Sequence, residues 1–474
     1  MDKKDIIQGL QALLGEDRVQ TAPEIIRKAS TDYIGFRQYE RFDGQDWVPK
    51  AACVVQPRNT AEVSQALAFL NKHGLSTVPR TGGSSVTQSI EPEEGGVILD
   101  GQEMNGVLSL NEQDMMVTVR CGTPLEYLEN YLNRHGYTGG HFPQSLPLAH
   151  VGGLIATRSI GQFSTLYGGI EDLLVGLEAV LADGEVIRIK NSPRRSVGPD
   201  LRHLFIGSEG MLGFITEATL KIFPYTPETR WMNSWAIQGM DQGLALIREV
   251  MTTGYRPAVV RLHDAEEVQK MFGDAVPGGS SVLLFLAEGP APITAAIGQG
   301  IREIAGRYPV QDLGSRPVES WLQTRNDVCY RMDEPVYHKQ GMVADTCEIS
   351  APWSAIGEIY GAVIERLPRE MPNLVFIGGH SSHSYVQGTN IYFTFSFLVD
   401  KGVESARPDY MKVITVMMEE TLKRGGSIAH HHGSGKYRTR WMPEEHGSSY
   451  PLLRKLKSSL DPRGILNRGV LLTD

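Results

Sequence analysis

Val78–Gln88 reads VPRTGGSSVTQ. Gly82 and Gly83 stand at its centre, with Thr81, Ser84, Ser85 and Thr87 around them and a short strand-like run before them. Two successive residues without a Cβ let consecutive backbone N–H groups converge on one anion, and the hydroxyls add donors. A diphosphate suits such a cradle. The spacing is not GxGxxG, because the third glycine is missing, nor is it a GxxxxGK[ST] loop. The other candidate for that loop, HHHGSGKYR (His430–Arg438), has His430 where the first glycine belongs and Tyr437 in place of the required Ser or Thr.

Two further passages share this character: VGGLIATRSIGQFSTLYGGIEDLLVG (Val151–Gly176) and GSEGMLGFITEATL (Gly207–Leu220), where Glu209 sits between small residues. Glycine makes up 51 of the 474 residues, against an average of roughly 7%. Three glycine-rich passages separated by strands point to an extended, diphosphate-bearing ligand threaded through one domain.

Around these passages the first half alternates short strands and helices. Ala51–Val55, Thr77–Pro79, Val97–Leu99 and Met116–Arg120 read as strands. AEVSQALAFLNKHG between the first two has helical spacing and ends on Gly74, a natural C-cap. Gly176–Lys190 reads as a hairpin turning at Asp183–Gly184, and Gly213–Phe223 as one more strand. From about Met232 a second unit follows, with helices at Leu244–Thr253, Ala295–Arg307, Ser354–Arg366 and Asp409–Arg424 and strands at Val282–Ala287 and Ile391–Leu398. The class is mixed α+β rather than a regular βαβ array. The last thirty residues can pack back on the first unit.

Lys and Arg number 46 and Asp and Glu 55, a formal charge of −9. A net acidic chain without a basic block is a poor partner for nucleic acid or an anionic membrane surface. No apolar run reaches the roughly 18–20 residues that span a bilayer. The first residues, MDKKDIIQGLQALLGEDRV, read as a short amphipathic helix rather than a signal or transit peptide. Cys53, Cys121, Cys329 and Cys347 form no CxxC pair, which fits a reducing cytoplasm.

Five of the thirteen histidines fall in two late stretches. GGHSSHSYVQGTNIYFTFSF (Gly378–Phe397) carries His380, His383, Tyr385 and Tyr392; GGSIAHHHGSGKYRTRWM (Gly425–Met442) carries His430, His431, His432, Lys436, Arg438 and Arg440. Imidazoles at such spacing can bind zinc. If the second stretch is extended, His430 and His432 share one face and His431 takes the other. The chemical reading is proton transfer, for which imidazole and phenol are suited, with the cationic side chains free to hold a carboxylate or phosphate.

PRTGGSS, PQSLPLAHVGGLIATRSIGQFSTLYGGIEDLLVGLEAVLADG and IGSEGMLGFITEATLKI, in that order, resemble the flavin-binding half of the vanillyl-alcohol oxidase/p-cresol methylhydroxylase (PCMH-type) superfamily over about residues 48–225. The resemblance implies FAD in a domain of two α+β subdomains, followed by an α+β cap with an antiparallel sheet. Segments 1–47 (helical extension), 48–225 (FAD domain), 226–440 (cap and substrate domain) and 441–474 (packing back on the FAD domain) follow. Carried over by motif, Arg80, Thr81, Gly82, Gly83, Ser84 and Ser85 line the diphosphate. Pro143, Ser145, Gly152, Gly153, Ser159, Gly161 and Tyr167 flank the isoalloxazine and ribityl chain, and Glu209, Gly210 and Ile215 meet the adenosine side. Members with covalent flavin carry a histidine where Ser84 stands, so the resemblance implies noncovalent FAD.

HHHGSGKYRTRW, CEISAPW (Cys347–Trp353) and SHSYVQGTNIYF (Ser382–Phe393) resemble alkyl-dihydroxyacetonephosphate synthase, and more distantly the D-lactate/glycolate dehydrogenases. The first resemblance implies Tyr392, His431 and His432 as acid/base residues and Arg331 as the arginine for a substrate anion. The dehydrogenases build a metal site from GHxGDGNxH and Glu-His-Gly. Here position 390 is Asn and His431 replaces the glutamate, so no metal is expected. The implied function is oxidation of a small polar hydroxy substrate, a 2-hydroxy acid or related alcohol, by hydride transfer to flavin. The alternative is a redox-neutral transferase that works through a flavin N5 adduct. A homodimer without membrane anchor is expected; the residues do not name the electron acceptor, for which dioxygen, a quinone and an electron-transfer flavoprotein are the candidates.

Overall fold

The computed structural model describes residues 2–44 and 50–473; the expected boundary at 47/48 lies outside the described residues. Four strands, β1 (Val19–Gln20), β2 (Cys53–Val55), β3 (Thr77–Arg80) and β4 (Val97–Asp100), form a sheet in the order β1-β2-β4-β3. β2, β4 and β3 run parallel, which requires a crossover helix. Thr60–His73 supplies it: the Asn59 side chain caps its start, and Gly74 ends it in a left-handed conformation (φ 66°). Val63, Ala66, Leu67 and Leu70 form its buried stripe.

Seven strands follow: β5 (Val107–Asn111), β6 (Met116–Arg120), β7 (Tyr137–Thr138), β8 (Leu174–Val180), β9 (Val186–Ile189), β10 (Phe214–Lys221) and β11 (Phe223–Pro224). A five-stranded sheet has the order β5-β6-β10-β8-β9, and β7 pairs with β11. The β8–β9 hairpin turns at Asp183–Gly184, where Gly184 has φ 93°. These two sheets with their helices are the two halves of the glycine-rich domain.

The second unit is one seven-stranded antiparallel sheet. Its strands are β12 (Trp231–Ile237), β13 (Val259–His263), β14 (Ser281–Ala287), β15 (Gln311–Gly314), β16 (Met342–Pro352), β17 (Leu374–Ser381) and β18 (Gly388–Leu398), in the order β15-β12-β14-β13-β17-β18-β16. The four expected helices are present with longer bounds: Gly239–Thr252, Ala291–Ala305, Trp353–Glu370 and Ala406–Lys423. Their apolar faces pack with Val260 and Leu262 of β13, Cys347 and Ile349 of β16, and Phe393, Phe395 and Phe397 of β18 in one buried cluster. Strand residues alternate between faces. The intervening residues Arg261, His263, Thr346, Glu348, Tyr392 and Thr394 therefore share the opposite face of this sheet.

Both ends of the chain bind the glycine-rich domain. Thr77 N donates to Ile465 O and Asn467 N to Thr77 O, each at 2.8 Å, so Leu466 runs beside β3. At the other end the buried Asp32 accepts from Thr87 N (3.1 Å), and Tyr33 N donates to Ser85 O (2.8 Å). Gly35 N reaches Asp345 of the second unit at 2.6 Å.

Candidate active site between the glycine-rich loop and the cap sheet

The loop after β3 forms one wall of a cleft. Arg80 pairs with the buried Asp100, and Thr81 Oγ1 accepts from Gly153 N at 3.1 Å, tying the loop to the second glycine passage. A Cβ on Gly82 would meet Leu148 O at 2.5 Å and His150 N at 2.9 Å. Backbone cannot yield there, so the position accepts only glycine. Gly83 lies at φ 69° with the Arg80 guanidinium against it. Three buried polar atoms on the cleft wall have no hydrogen-bond partner among the described residues: Arg80 Nε, His150 Nδ1 and Asn467 Oδ1. Unpaired buried polar atoms are costly; three around one cleft mark a polar ligand's seat, and a diphosphate-bearing dinucleotide fits a guanidinium, an imidazole and an amide oxygen there.

The opposite wall comes from the cap. On four adjacent strands the directly opposed residues are His263 (β13), His380 (β17), Tyr392 (β18) and Glu348 (β16). This is a continuous polar row across the sheet. Glu348 is fully buried and organises the histidine run: its Oε1 accepts from the backbone N–H of His430 (3.2 Å), His431 (3.1 Å) and His432 (2.8 Å). Burial alone would raise the Glu348 carboxyl; the ion pair with fully buried Arg438, then His432, hold it well below the usual range. The run is therefore not extended. It curls around a carboxylate and turns away at Gly433 (φ 82°) and Gly435 (φ 55°). Glu209 locks that turn, accepting from Ser434 N (2.7 Å) and Gly435 N (3.0 Å).

This curl puts His431 parallel to Tyr392, with ring centroids 5.5 Å apart and planes 10° apart. His380 flanks Tyr392 at 4.9 Å on β17. Tyr392 Oη accepts from Thr346 Oγ1 at 2.8 Å, and burial pushes its pKa up. Burial also pulls His431 and His383 well below their usual value and His430 down to about 4. At neutral pH the group thus consists of uncharged imidazoles and a protonated phenol, which can accept or relay a proton. His383 bridges the units through Ser164 Oγ (3.0 Å). His383, His430 and His431 offer three nitrogens within 4.8 Å of one another, a spacing that could hold a cation.

Of the residues expected from sequence, Arg80–Ser85, Ser145, Gly152, Gly153, Ser159, Glu209, Gly210, Ile215, His431 and His432 line the cleft. Tyr392 stands behind His431. Pro143 and Gly161 belong to its supporting layer: Pro143 O faces the Asn326 amide (3.4 Å), and a Cβ on Gly161 would meet Phe142 N. Two expected residues do not line the cleft. Tyr167 donates to Glu288 Oε1 (2.6 Å) and packs on Phe223, so it joins the domains away from the cleft. Arg331 ends an exposed turn and pairs with Glu334 (3.1 Å), so it is not brought to the site; the buried arginines among the described residues are Arg37, Arg261 and Arg438. Sequence reasoning passed over Glu348, His150, Asn467 and the β13 pair Arg261 and His263. The last two were legible only as polar residues alternating with apolar ones.

Residues 51–190 match the family model described as FAD binding domain, and residues 226–471 that described as FAD linked oxidases, C-terminal domain. The Escherichia coli (strain K12) protein named "Uncharacterized FAD-linked oxidoreductase YgcU" is 44% identical, covering 99% of each chain. Alkyldihydroxyacetonephosphate synthase of Caenorhabditis elegans is 29% identical over 87% of this chain and 74% of its own. Glycolate oxidase subunit GlcD of Bacillus subtilis (strain 168) is 26% identical over 88% of both. Among solved structures, an alkyldihydroxyacetonephosphate synthase superposes with a TM-score of 0.83 at 22% identity, covering 98% of this chain and 86% of that one. p-Cresol methylhydroxylase does so with 0.77 at 14% identity, covering 99% and 97%. The PCMH-type fold expected from the glycine passages is thus the observed one, FAD is the cofactor, and the chain belongs to the FAD-linked oxidases, a family of flavin oxidoreductases.

Proposed function

We propose that this oxidoreductase oxidises a small polar hydroxy substrate, a 2-hydroxy acid or a related alcohol. The observation that carries the reading is the group of uncharged imidazoles around a protonated tyrosine on the wall facing the glycine loop. FAD, when bound, supplies the hydride acceptor. Arg80–Ser85 hold its diphosphate, and the segment from Pro143 to Gly161 supports its ring. Ser84 has no ring nitrogen for a covalent link, so the flavin is held noncovalently. The substrate's hydroxyl proton passes to the Tyr392–His431 pair, with His432 beside it. Neutral imidazole accepts that proton near physiological pH, and its burial excludes water from the transfer. No membrane-spanning helix occurs among the described residues.

The test is anaerobic titration of the yellow holoprotein with glycolate, D-lactate, other 2-hydroxy acids and sugar acids. Bleaching of the flavin by one of them is the expected result. His431→Ala and Tyr392→Phe should slow that bleaching by about 10²–10⁴-fold with flavin content unchanged; full activity in either variant removes the assignment. A second reading, redox-neutral transfer on an ester of dihydroxyacetone phosphate, is favoured by the 29% identity to alkyldihydroxyacetonephosphate synthase. It holds if only such an ester perturbs the flavin spectrum and none of the hydroxy acids bleaches it.

A further inference from the structure

Glu267 lies on helix Ala265–Met271, which Asp264 caps by accepting from Glu267 N at 2.9 Å. The helix lies against the polar row, and the Glu267 carboxylate, almost fully buried, takes three donors from three strands. They are His263 Nδ1 (2.7 Å), His380 Nδ1 (2.8 and 3.0 Å) and Thr394 Oγ1 (2.7 Å). Arg261 Nε donates to the other nitrogen of His263 at 3.2 Å. Arg261 only donates and an ionised carboxylate only accepts. His263 must then carry its proton on Nδ1, and so must His380.

The two histidines differ in one respect. His263 is used on both nitrogens and is completely buried, whereas the His380 side chain is 11% exposed and its Nε2 has no hydrogen bond among the described residues. That nitrogen presents a lone pair beside the Tyr392 ring.

We propose that Glu267 and His380 form a carboxylate–imidazole dyad in which Glu267 is the positioning residue and His380 Nε2, beside the Tyr392 ring, takes up the hydroxyl proton that the Tyr392–His431 pair receives from the substrate. The proposal rests on the oxidative reading above. In the step, the substrate O–H bond breaks as Tyr392 takes that proton and gives up its own, and an N–H bond forms at Nε2. The oxygen's electron pair closes the carbonyl, and the C–H pair would leave as hydride to the flavin that the domain binds. The imidazolium so formed faces the Glu267 carboxylate, which stabilises it. Burial, and then the charge of Arg261 across His263, lower the pKa of the His380 imidazole, against the pull of Glu267. The three side chains are also close enough to hold a cation. Their contacts are nitrogen–oxygen pairs at hydrogen-bond length, which a shared proton explains without one.

The experiment is ¹H–¹⁵N NMR of holoprotein labelled with [¹⁵N]histidine, His380 being identified by the signal lost in His380→Asn. The expected tautomer has Nδ1 protonated and Nε2 bare. Glu267→Gln can donate its amide to Nδ1 and should flip His380 to the Nε2–H form with flavin content unchanged. With the hydroxy acid that best bleaches the wild-type flavin, Glu267→Gln should slow anaerobic reduction at least about 100-fold at little change in substrate affinity, and Glu267→Asp should recover part of the rate. An Nε2–H tautomer in the wild type, an unchanged reduction rate in Glu267→Gln, or stoichiometric zinc that is lost on replacing His263 would each overturn the dyad. Failure of every hydroxy acid to bleach the wild type is a different result: it overturns the oxidative reading itself.

Discussion

The glycine loop lines the cleft, and the polar row backs the histidine run on its other wall, yet the two are built in opposite ways. The loop is local: Arg80, Thr81, Gly82 and Gly83 are neighbours in sequence, and backbone clearance decides their identity. The row is assembled: His263, His380, Tyr392 and Glu348 come from four strands spread over about 130 residues and meet only because of register. A local device fails when one backbone position is filled. An assembled device fails when a buried charge loses its partner.

The sharpest way to test the local half is Gly83→Val. At φ 69° a β-branched residue is strained, and its Cβ meets the Arg80 guanidinium. Complete loss of bound FAD is expected, read as visible absorbance per mole of protein; normal flavin content would end the assignment of the loop.

For the assembled half, Glu348→Gln leaves Arg438 buried without its counter-charge and weakens the cradle of the histidine run. Breaking a buried pair from one side typically costs about 3–5 kcal/mol, measurable by urea unfolding of the holoprotein. An unchanged midpoint would show that the backbone curl at 430–432 stands without the carboxylate.

Glu209 joins the two halves, and burial raises its carboxyl to about 7, against the two N–H donors and Arg438 that lower it. A carboxyl raised in the folded state binds its proton more tightly there than in the unfolded chain. Its stabilising contribution is full below the unfolded value of about 4.5 and is lost as pH rises through about 7. Glu209→Gln should therefore flatten the fall in unfolding midpoint between those limits; an identical slope would contradict the geometry. The smallest effect is expected from Arg331→Ala. Its exposed pair with Glu334 is worth less than about 1 kcal/mol, and neither flavin content nor bleaching rate should change. A large loss of bleaching would return Arg331 to the site.

The difference also explains what could be read before the structure. The β8–β9 hairpin, the helix ended by Gly74 and strand β18 follow from short-range rules of turn chemistry, capping and alternation, and they stand where the residues put them. In the second unit only β14 and β18 were read as strands. β13 (VVRLH) is short, β16 carries Asp345 among its inward positions, and β17 (LVFIGGHS) passes from an apolar run into Gly-Gly-His-Ser, so none shows a sustained alternation that would reveal the face carrying Arg261, His263, His380 and Glu348. Arg331 was misplaced for a related reason. A charged residue near a motif says nothing of burial, and its turn happens to face solvent.

The sequence alone decides what one or a few adjacent residues dictate: bare backbone at 82 and 83, hydroxyls beside it, a run of three imidazoles, and hence a flavin cradle with proton-handling groups elsewhere in the chain. Which imidazoles meet which carboxylates was settled only in three dimensions. Strand register and the curl around Glu348 depend on the sum of many distant contacts, and a shift of one residue would turn the whole polar row to the other side of the sheet.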